Sequence, residues 1–205
     1  AVFETAADFF DTSFGGNTDF SESSFQCDLN LSQATFNREA NFDRAAIDGE
    51  IDLGKADFAD GATFFETEFG GDVVGQWAEF SGRTDFRATF EGAIEFPLVE
   101  FDGPLEFGDV DIDGEADFGS SEFRGHVDFQ LTTFGADVNF EGAVFEQGAD
   151  FGHIEVSGET DFSKSQFNDS ATFELASFDG NIDYYQTEFT GDASFRRATF
   201  NDSAR

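Results

Sequence analysis

The segment GEADFGSSEFRGHVDFQLTTFGADVNFEGAVFEQGADF, residues 114–151, decides the fold. Its phenylalanines are separated by alternating steps of five and six residues: Phe118, Phe123, Phe129, Phe134, Phe140, Phe145 and Phe151. The same rule extends back to Phe3 and forward to Phe200, with Ile, Leu, Val or Tyr at some steps. Every phenylalanine except Phe10 and Phe65 lies on this ladder. Self-similarity over the whole chain indicates a repeat architecture.

A second pattern accompanies the ladder. Two residues before most ladder positions the residue is small or β-branched, and the residue between them is polar, as in Ala116, Asp117 and Phe118. Residues i and i−2 of an extended segment point to the same side. Each unit is therefore predicted to be a very short strand with two inward side chains, followed by a corner. A helix is disfavoured, because steps of five and six place successive phenylalanines on different helix faces.

Stacking of these units predicts the architecture. Four sides of five, six, five and six residues close as a coil of 22 residues, so ladder residues 22 apart lie one above another. Successive coils hydrogen-bond at about 4.8 Å, and about nine coils make a rod of about 45 Å. We therefore predict an all-β quadrilateral β-helix, a solenoid, with residues 1–205 forming a single domain around four columns of stacked rings.

Several units resemble the pentapeptide-repeat family, whose unit is A(D/N)LXX or A(D/N)FXX: Ala7-Asp8-Phe9, Ala40-Asn41-Phe42, Ala56-Asp57-Phe58, Ala116-Asp117-Phe118 and Ala149-Asp150-Phe151. This resemblance implies a right-handed quadrilateral β-helix. The chain departs from the family pattern by adding one residue to every second side, often in a corner with glycine: Gly92, Gly103, Gly114, Gly125, Gly158, Gly180 and Gly191. We expect the extra residue to bulge the corner, because glycine tolerates positive φ.

Composition restricts the functional classes. Forty-four acidic residues face ten Lys and Arg, which gives a formal net charge of -34. This charge excludes contact with nucleic-acid phosphates or an anionic membrane, since both need a basic surface. The single cysteine, Cys27, excludes an intramolecular disulfide framework. The two histidines fall on neighbouring sides of the coil, and no residues form a catalytic or phosphate-binding motif. We expect a protein that is not an enzyme and has no cofactor or metal; diffuse cation binding along the acidic columns stays open.

The carboxylates are the main functional signal. Under the 22-residue coil one outward column contains the candidate partner-facing residues Asp8, Asp52, Glu95, Asp117, Asp161 and Asp183. Salt adaptation accounts for such a surface, because the charge maintains solubility and salt screens the repulsion. The alternative is a DNA mimic, since -34 over about 45 Å is roughly one charge per 1.3 Å against about 1.7 Å in duplex DNA. The family resemblance adds an expected partner for it, DNA gyrase or another type II topoisomerase.

One coil breaks the register. The ladder position between Phe69 and Phe80 falls on Gly75, and the step from Phe86 to Phe90 is four residues. The candidate irregular-coil site comprises Gly75, Trp77, Arg83 and Arg87. Two interpretations stay open. The first is a kink or groove with a void where a ring is missing. The second is repeat drift, with Val74 or Trp77 filling the gap.

The repeat still runs at both ends of the sequence. We expect one of two situations. Either this segment is part of a longer chain, or its open ends stack on a partner copy, because unpaired strand edges invite pairing. We therefore expect a rigid structural or protein-interaction module in a halophile, with the cytoplasm favoured and an exported or cell-surface location also open.

Overall fold

The computed structural model describes residues 1–205 and contains strands only. Thirty-seven two-residue strands form four parallel sheets, one of ten strands and three of nine. We name the sheets the first to fourth faces in chain order. The predicted all-β quadrilateral β-helix is confirmed. No helix that could cross a bilayer is present.

Each face takes every fourth strand of the chain. The first face contains β1 Val2–Phe3, β5 Ser24–Phe25, β9 Ala46–Ile47, β13 Glu68–Phe69, β17 Thr89–Phe90, β21 Asp111–Ile112, β25 Thr133–Phe134, β29 Glu155–Val156, β33 Ser177–Phe178 and β37 Thr199–Phe200. The second face contains β2 Ala7–Asp8, β6 Leu29–Asn30, β10 Ile51–Asp52, β14 Val73–Val74, β18 Ile94–Glu95, β22 Ala116–Asp117, β26 Val138–Asn139, β30 Thr160–Asp161 and β34 Ile182–Asp183. The third face contains β3 Ser13–Phe14, β7 Thr35–Phe36, β11 Asp57–Phe58, β15 Glu79–Phe80, β19 Glu100–Phe101, β23 Glu122–Phe123, β27 Val144–Phe145, β31 Gln166–Phe167 and β35 Glu188–Phe189. The fourth face contains β4 Thr18–Asp19, β8 Ala40–Asn41, β12 Ala62–Thr63, β16 Thr84–Asp85, β20 Leu105–Glu106, β24 Val127–Asp128, β28 Ala149–Asp150, β32 Ala171–Thr172 and β36 Ala193–Ser194.

Strand register follows the predicted period. Residues 22 apart pair across neighbouring coils, as Val2 pairs with Ser24. One coil is a residue shorter, so that Glu68 pairs with Thr89. The full period returns one coil later, where Thr89 pairs with Asp111. The sheets therefore stay in register through the irregular coil. The coil is one residue shorter because one of its corners, and none of its strands, has a residue fewer.

Stacked rings fill the interior. The third-face column, Phe14 to Phe189, is unbroken, with ring centroids between 4.6 and 5.4 Å apart. The fourth-face column, Phe20 to Phe195, is also unbroken. Aliphatic residues such as Leu53 and Ile112 interrupt the other two columns. The core comprises 52 buried hydrophobic residues, and it makes the rod one continuous packed body.

The corners use two different devices. At five-residue corners the residue two positions after the ladder residue has positive φ, and it is almost always not glycine; Leu98, Leu131 and Lys164 are examples. The six-residue corners hold the stacked glycines. Apart from Gly61, these corner glycines do not have positive φ. The expected role of Gly92 and its equivalents as left-handed bulges is therefore wrong.

The stacked glycines are required by close approach between coils. A Cβ built on Gly103 would lie 2.2 Å from the carbonyl oxygen of Gly82 in the coil below, and one built on Gly125 would lie 2.3 Å from that of Gly103. A side chain at Gly103 or Gly125 would therefore push neighbouring coils apart, whereas equivalent positions of other six-residue corners carry Arg38, Ala136 and Gln147.

Candidate functional site

The second face places the predicted acidic residues in one column. Strand pairing aligns Asp8, Asp52, Glu95, Asp117, Asp161 and Asp183 along the rod, with Asn30, Val74 and Asn139 between them. The spacing along the axis is about 4.8 Å, the distance between neighbouring strands. The predicted alignment is thus present; a partner that recognises it is a proposal.

The aspartates of this column also hold the corners. Oδ1 of Asp117 accepts a hydrogen bond of 2.8 Å from the backbone N–H of Gly119, and Oδ1 of Asp161 accepts one of 2.7 Å from Ser163. Such side-chain bonds fix turns locally. Asparagine does the same at Asn139, whose Oδ1 accepts from the N–H of Glu141. One oxygen of each such aspartate is therefore structural, and the negative charge is not needed for the turn.

Asparagines also reduce the repulsion within the column. Nδ2 of Asn139 donates to Oδ1 of Asp117 at 2.8 Å, and Nδ2 of Asn30 donates to Oδ1 of Asp8 at 3.0 Å. Each amide thus replaces a like-charge contact between coils with a hydrogen bond. The relief is local, because Glu95 and Asp117, like Asp161 and Asp183, are still direct neighbours in the column.

A second acidic column on the same face was missed by the sequence reasoning. Its members stand two residues before the first column, on the same outward side: Asp28, Glu50, Asp72, Glu115, Asp137 and Glu159. The two columns are about 6.6 Å apart across the strand. Burial and then the charges of Asp28 and Asp52 raise the pKa of Glu50. Their spacing of 22 residues on either side of the short coil, where Ala93 interrupts the column, was the signal that could have identified them.

We call these two columns together the acidic face. A shallow groove runs over it, lined by Asp117, Asp137, Asn139, Glu141, Glu159 and Asp161. Two cations reach this region: Arg205 pairs with Asp183 at 2.9 Å, and Lys164 pairs with Glu141 at 2.5 Å. Most of the other cations neutralise carboxylates elsewhere; Arg124, for example, contacts Glu100, Asp102 and Glu122 on the third face. The acidic face therefore concentrates unpaired negative charge.

The irregular coil contains neither a void nor a groove at Gly75. A Cβ on Gly75 would lie 2.4 Å from the ring of Phe96, so the ring from the next coil occupies the missing position. Phe96 consequently meets Phe118 edge-on at 6.1 Å. Both alternatives from the sequence, a void and filling by Val74 or Trp77, are wrong at this point. Trp77 is half exposed and lies outside the barrel with Lys55 over its ring, 5.0 Å from the centroid.

Arg83 and Arg87 form a separate cluster on the fourth face. Both guanidinium groups contact the buried carboxylate of Asp85, and Arg83 also lies 3.4 Å from Glu106. Burial alone raises the pKa of Asp85, but hydrogen bonds from Arg87 and the charges of both arginines lower it overall. The four residues of the predicted irregular-coil site are thus divided between two places, and Asp85 was missed.

The remaining reactive residues are dispersed. Cys27 is exposed, and its Sγ lies 3.9 Å from the backbone oxygen of Glu4. His126 and His153 belong to different corners, as the sequence predicts. No group of three or more His, Cys, Asp or Glu side chains is arranged to hold a metal ion.

Comparison with known proteins identifies the repeat. A family model described as pentapeptide repeats matches residues 96–144, 107–155, 140–183 and 151–199, which together cover half of the chain. No curated protein matches significantly. Among solved structures the chain is similar to HetL, a pentapeptide repeat protein involved in heterocyst differentiation regulation from the cyanobacterium Nostoc sp. strain PCC 7120. The identity is 12%, the match covers 96% of this chain and 88% of HetL, and the TM-score is 0.33. With its ladder, its parallel register and this family match, the chain belongs to the pentapeptide-repeat family.

Proposed function

We propose that the protein is a non-enzymatic, rigid β-helical module that presents its acidic face to a basic surface of a protein partner. The observation that carries the proposal is the regular array of carboxylates on the second face, spaced about 4.8 Å along the rod and about 6.6 Å across it. Complementary potentials of this kind steer association and select partners.

Rigidity supports the same role. The carboxylates stand on strands tied by backbone hydrogen bonds and packed on stacked rings, so their spacing is fixed before binding. Preorganisation lowers the entropy lost on association. We therefore expect the array to favour partners whose lysines and arginines repeat at a matching interval.

Adaptation to high salt is part of this proposal. Neighbouring carboxylates about 4.8 Å apart repel by roughly 0.9 kcal/mol in water before screening. Salt at molar concentration shortens the screening length to about 3 Å and removes most of this penalty. A surface with 44 acidic residues and ten Lys and Arg is best tolerated under such conditions.

Binding to an oligo-lysine peptide tests the localised acidic face. One variant combines Asp52→Asn, Asp117→Asn, Asp137→Asn and Asp161→Asn, which keeps the oxygen acceptors that hold the corners. A matched control with the same change in charge combines Asp57→Asn, Glu79→Gln, Glu146→Gln and Glu188→Gln, outside the acidic face. By calorimetry we expect about tenfold weaker binding for the first variant, and a much smaller change for the control. Equal losses would show that charge as a whole, and not this face, binds the peptide.

A second candidate function is mimicry of DNA toward a type II topoisomerase such as DNA gyrase. The net charge of -34 over a rod of about 45 Å favours it, because the linear charge density is close to that of duplex DNA. A supercoiling assay with added protein tests it directly. Inhibition that is lost in the Asp→Asn variant of the acidic face supports mimicry, and no effect at micromolar protein rules it out.

A further inference from the structure

One corner of the rod carries exposed apolar side chains on successive coils. The corner between the fourth face and the following first face, which we call the fourth–first corner, stacks Asp109, Leu131, His153, Leu175 and Arg197 at intervals of 22 residues. The side chains of Leu131 and Leu175 are 53% and 41% exposed. On a chain of charge -34 this column stands out as an apolar strip with a charge at each end.

These leucines are unfavourable not only because they are exposed but also because of their backbone conformation. Leu131, His153 and Leu175 have φ of 63°, 59° and 58°, a left-handed conformation that bulky side chains disfavour. The equivalent positions of the diagonally opposite corner are mostly polar or glycine, as at Ser120, Gly142 and Lys164, with Trp77 and Leu98 as the large apolar exceptions. Because every regular five-residue corner has this conformation, the distinctive feature here is the recurrence of exposed leucine two coils apart on one corner.

The order of residues in this column is self-complementary. A two-fold axis through His153 and perpendicular to the rod places Leu131 of one copy against Leu175 of another, because both lie one coil from His153. The same axis places Asp109 against Arg197, since both lie two coils away. We propose that two copies of this chain pair side by side and antiparallel along the fourth–first corner, with His153 at the centre. This isologous arrangement is the commonest form of homodimer.

The neighbouring column fits the same axis. One position before the apolar strip lie Gln130, Gly152 and Glu174, again at 22-residue intervals. Gly152 falls at the axis, where a missing side chain lets the two rods approach. Gln130 faces Glu174 of the second copy, so an amide can donate to a carboxylate.

Charge favours this corner over the others for self-association. The adjoining outward column of the first face contains three hydroxyl residues, Thr133, Ser177 and Thr199, and two carboxylates. The axis places one of these, Asp111, against Thr199, and it places Glu155 at the level of both copies of His153. The second face instead carries the acidic array and would repel its own copy. Arg197 is also the one arginine without an ion pair inside the chain, so it is free to meet Asp109.

The proposed contact between the two rods is short, and its length determines the expected affinity of the dimer. Four intervals between coils span about 19 Å. A contact of this length lies below the area of standard interfaces and corresponds to a weak, reversible dimer. Long-range repulsion between two highly charged copies weakens it further at low salt, so the dimer should strengthen as salt screens that repulsion.

Sedimentation velocity across protein concentration, in about 2 M KCl, tests the proposal. We expect a reversible dimer that is weakened about tenfold or more by Leu131→Glu or by Leu175→Glu. Leu98→Glu is the matched control, because Leu98 is a similarly exposed leucine with positive φ at the opposite corner. It should leave the dimer intact. A strict monomer up to about 1 mM, or a dimer insensitive to both variants, overturns the proposal.

Charge exchange and cross-linking test the antiparallel register. Asp109→Arg or Arg197→Asp alone should weaken the dimer. The two substitutions together should restore it, because the positive and negative charges then exchange positions and still face each other across the interface. In a Cys27→Ser background, His153→Cys should form a disulfide-linked dimer under mild oxidation, whereas Leu98→Cys should not. Failure of both the restoration and the His153 cross-link contradicts the two-fold axis, even if the chain dimerises. Circular dichroism confirms that each variant is folded.

Discussion

At the scale of single residues, the space between coils sets the permitted side chain. At the six-residue corners that hold glycine, the backbones of successive coils approach closely: a Cβ added to Gly103 would lie 2.2 Å from the carbonyl oxygen of Gly82. The atoms in the way are backbone atoms, which cannot rotate aside. Glycine is thus a packing requirement at Gly103 itself, whereas Ala136 and Gln147 show that other six-residue corners accommodate a side chain.

Gly103→Ala should destabilise the protein by about 3 kcal/mol, the upper part of the range for overpacking, because relief requires the two coils to separate. Chemical denaturation in high salt measures the difference. Gly15→Ala is the control: nothing lies within 4 Å of its added Cβ, and we expect a change below about 0.5 kcal/mol. Equal effects at the two sites would show that backbone entropy, and not contact, sets the penalty.

Tyr184 places a polar atom in the ring stack. Its ring continues the column above Phe162 at 5.5 Å, but its buried hydroxyl has no hydrogen-bond partner. Burial raises the pKa of this phenol above its usual value. The folded state therefore holds the proton more tightly than the unfolded chain does. Stability from this group is constant below pH about 10 and falls as pH rises further.

Tyr184→Phe should therefore raise the free energy of unfolding by about 1 kcal/mol at pH 8, because an unsatisfied hydroxyl is removed without changing the packed ring. The advantage should grow by about 1.4 kcal/mol between pH 8 and pH 11, where the unfolded wild-type phenol ionises. Urea denaturation at both pH values measures it. Tyr185→Phe, at an exposed neighbour, should change little at either pH.

At the scale of elements, backbone pairing between coils determines the position of each strand, and hydrogen bonds from local side chains determine the conformation of each corner. The short corner after Phe86 lacks the left-handed residue of its equivalents. Beside it Arg87 donates to the buried Asp85, and its guanidinium carbon lies 5.1 Å from the centroid of the Phe65 ring. One arginine thus joins the corner, the fourth face and the coil below.

Arg87→Ala should lower the free energy of unfolding by about 2 kcal/mol at pH 7, because it leaves a buried carboxylate short of its main partner. The pKa of Asp85 is lowered in the folded protein, so the stabilisation is present above pH about 4 and is lost as pH falls below it. The difference between variant and wild type should accordingly shrink in acid.

The control for this cluster is Arg38→Ala. Arg38 makes one exposed ion pair with Asp60 at 3.4 Å, and such pairs contribute little. We expect a change below about 0.5 kcal/mol at every pH. A comparable loss from both variants would mean that general charge balance, and not the buried pair, accounts for the role of Arg87.

The sequence predicts the elements better than it predicts their contacts. Ladder residues such as Phe118 and Phe140 determine the coil, the strand pairing and the acidic column, because all follow from one period. The filling of the Gly75 position by Phe96 was not predictable, since it depends on a ring tilting between coils. The role of Gly103 was misjudged for the same reason: a period gives the order of residues but not the separation of backbones.

At the scale of the whole molecule, charge and packing oppose each other. The rings form a continuous core, while the outward columns repeat like charges on successive coils. The balance should depend strongly on ionic strength, because salt screens the repulsion between the outward columns.

The melting temperature should rise substantially between about 0.1 M and 2 M KCl, as the screening length falls from about 10 Å to below 3 Å. Thermal unfolding followed by circular dichroism measures the slope. The Asp→Asn variant of the acidic face should show a smaller slope, because its asparagines keep the corner bonds and carry no charge. A melting temperature independent of salt would exclude repulsion as the main destabilising force.

The missing residue after Phe86 has an evolutionary consequence. A gene encoding this rod can lose a single codon with least damage where the codon specifies a corner residue, as it does after Phe86. Loss of a residue inside a strand instead exchanges the inward-facing and outward-facing side chains, and turns a phenyl ring toward solvent. Reading-frame-preserving deletions among descendants of this gene should therefore accumulate along the edges of the rod and be rare on its flat sides.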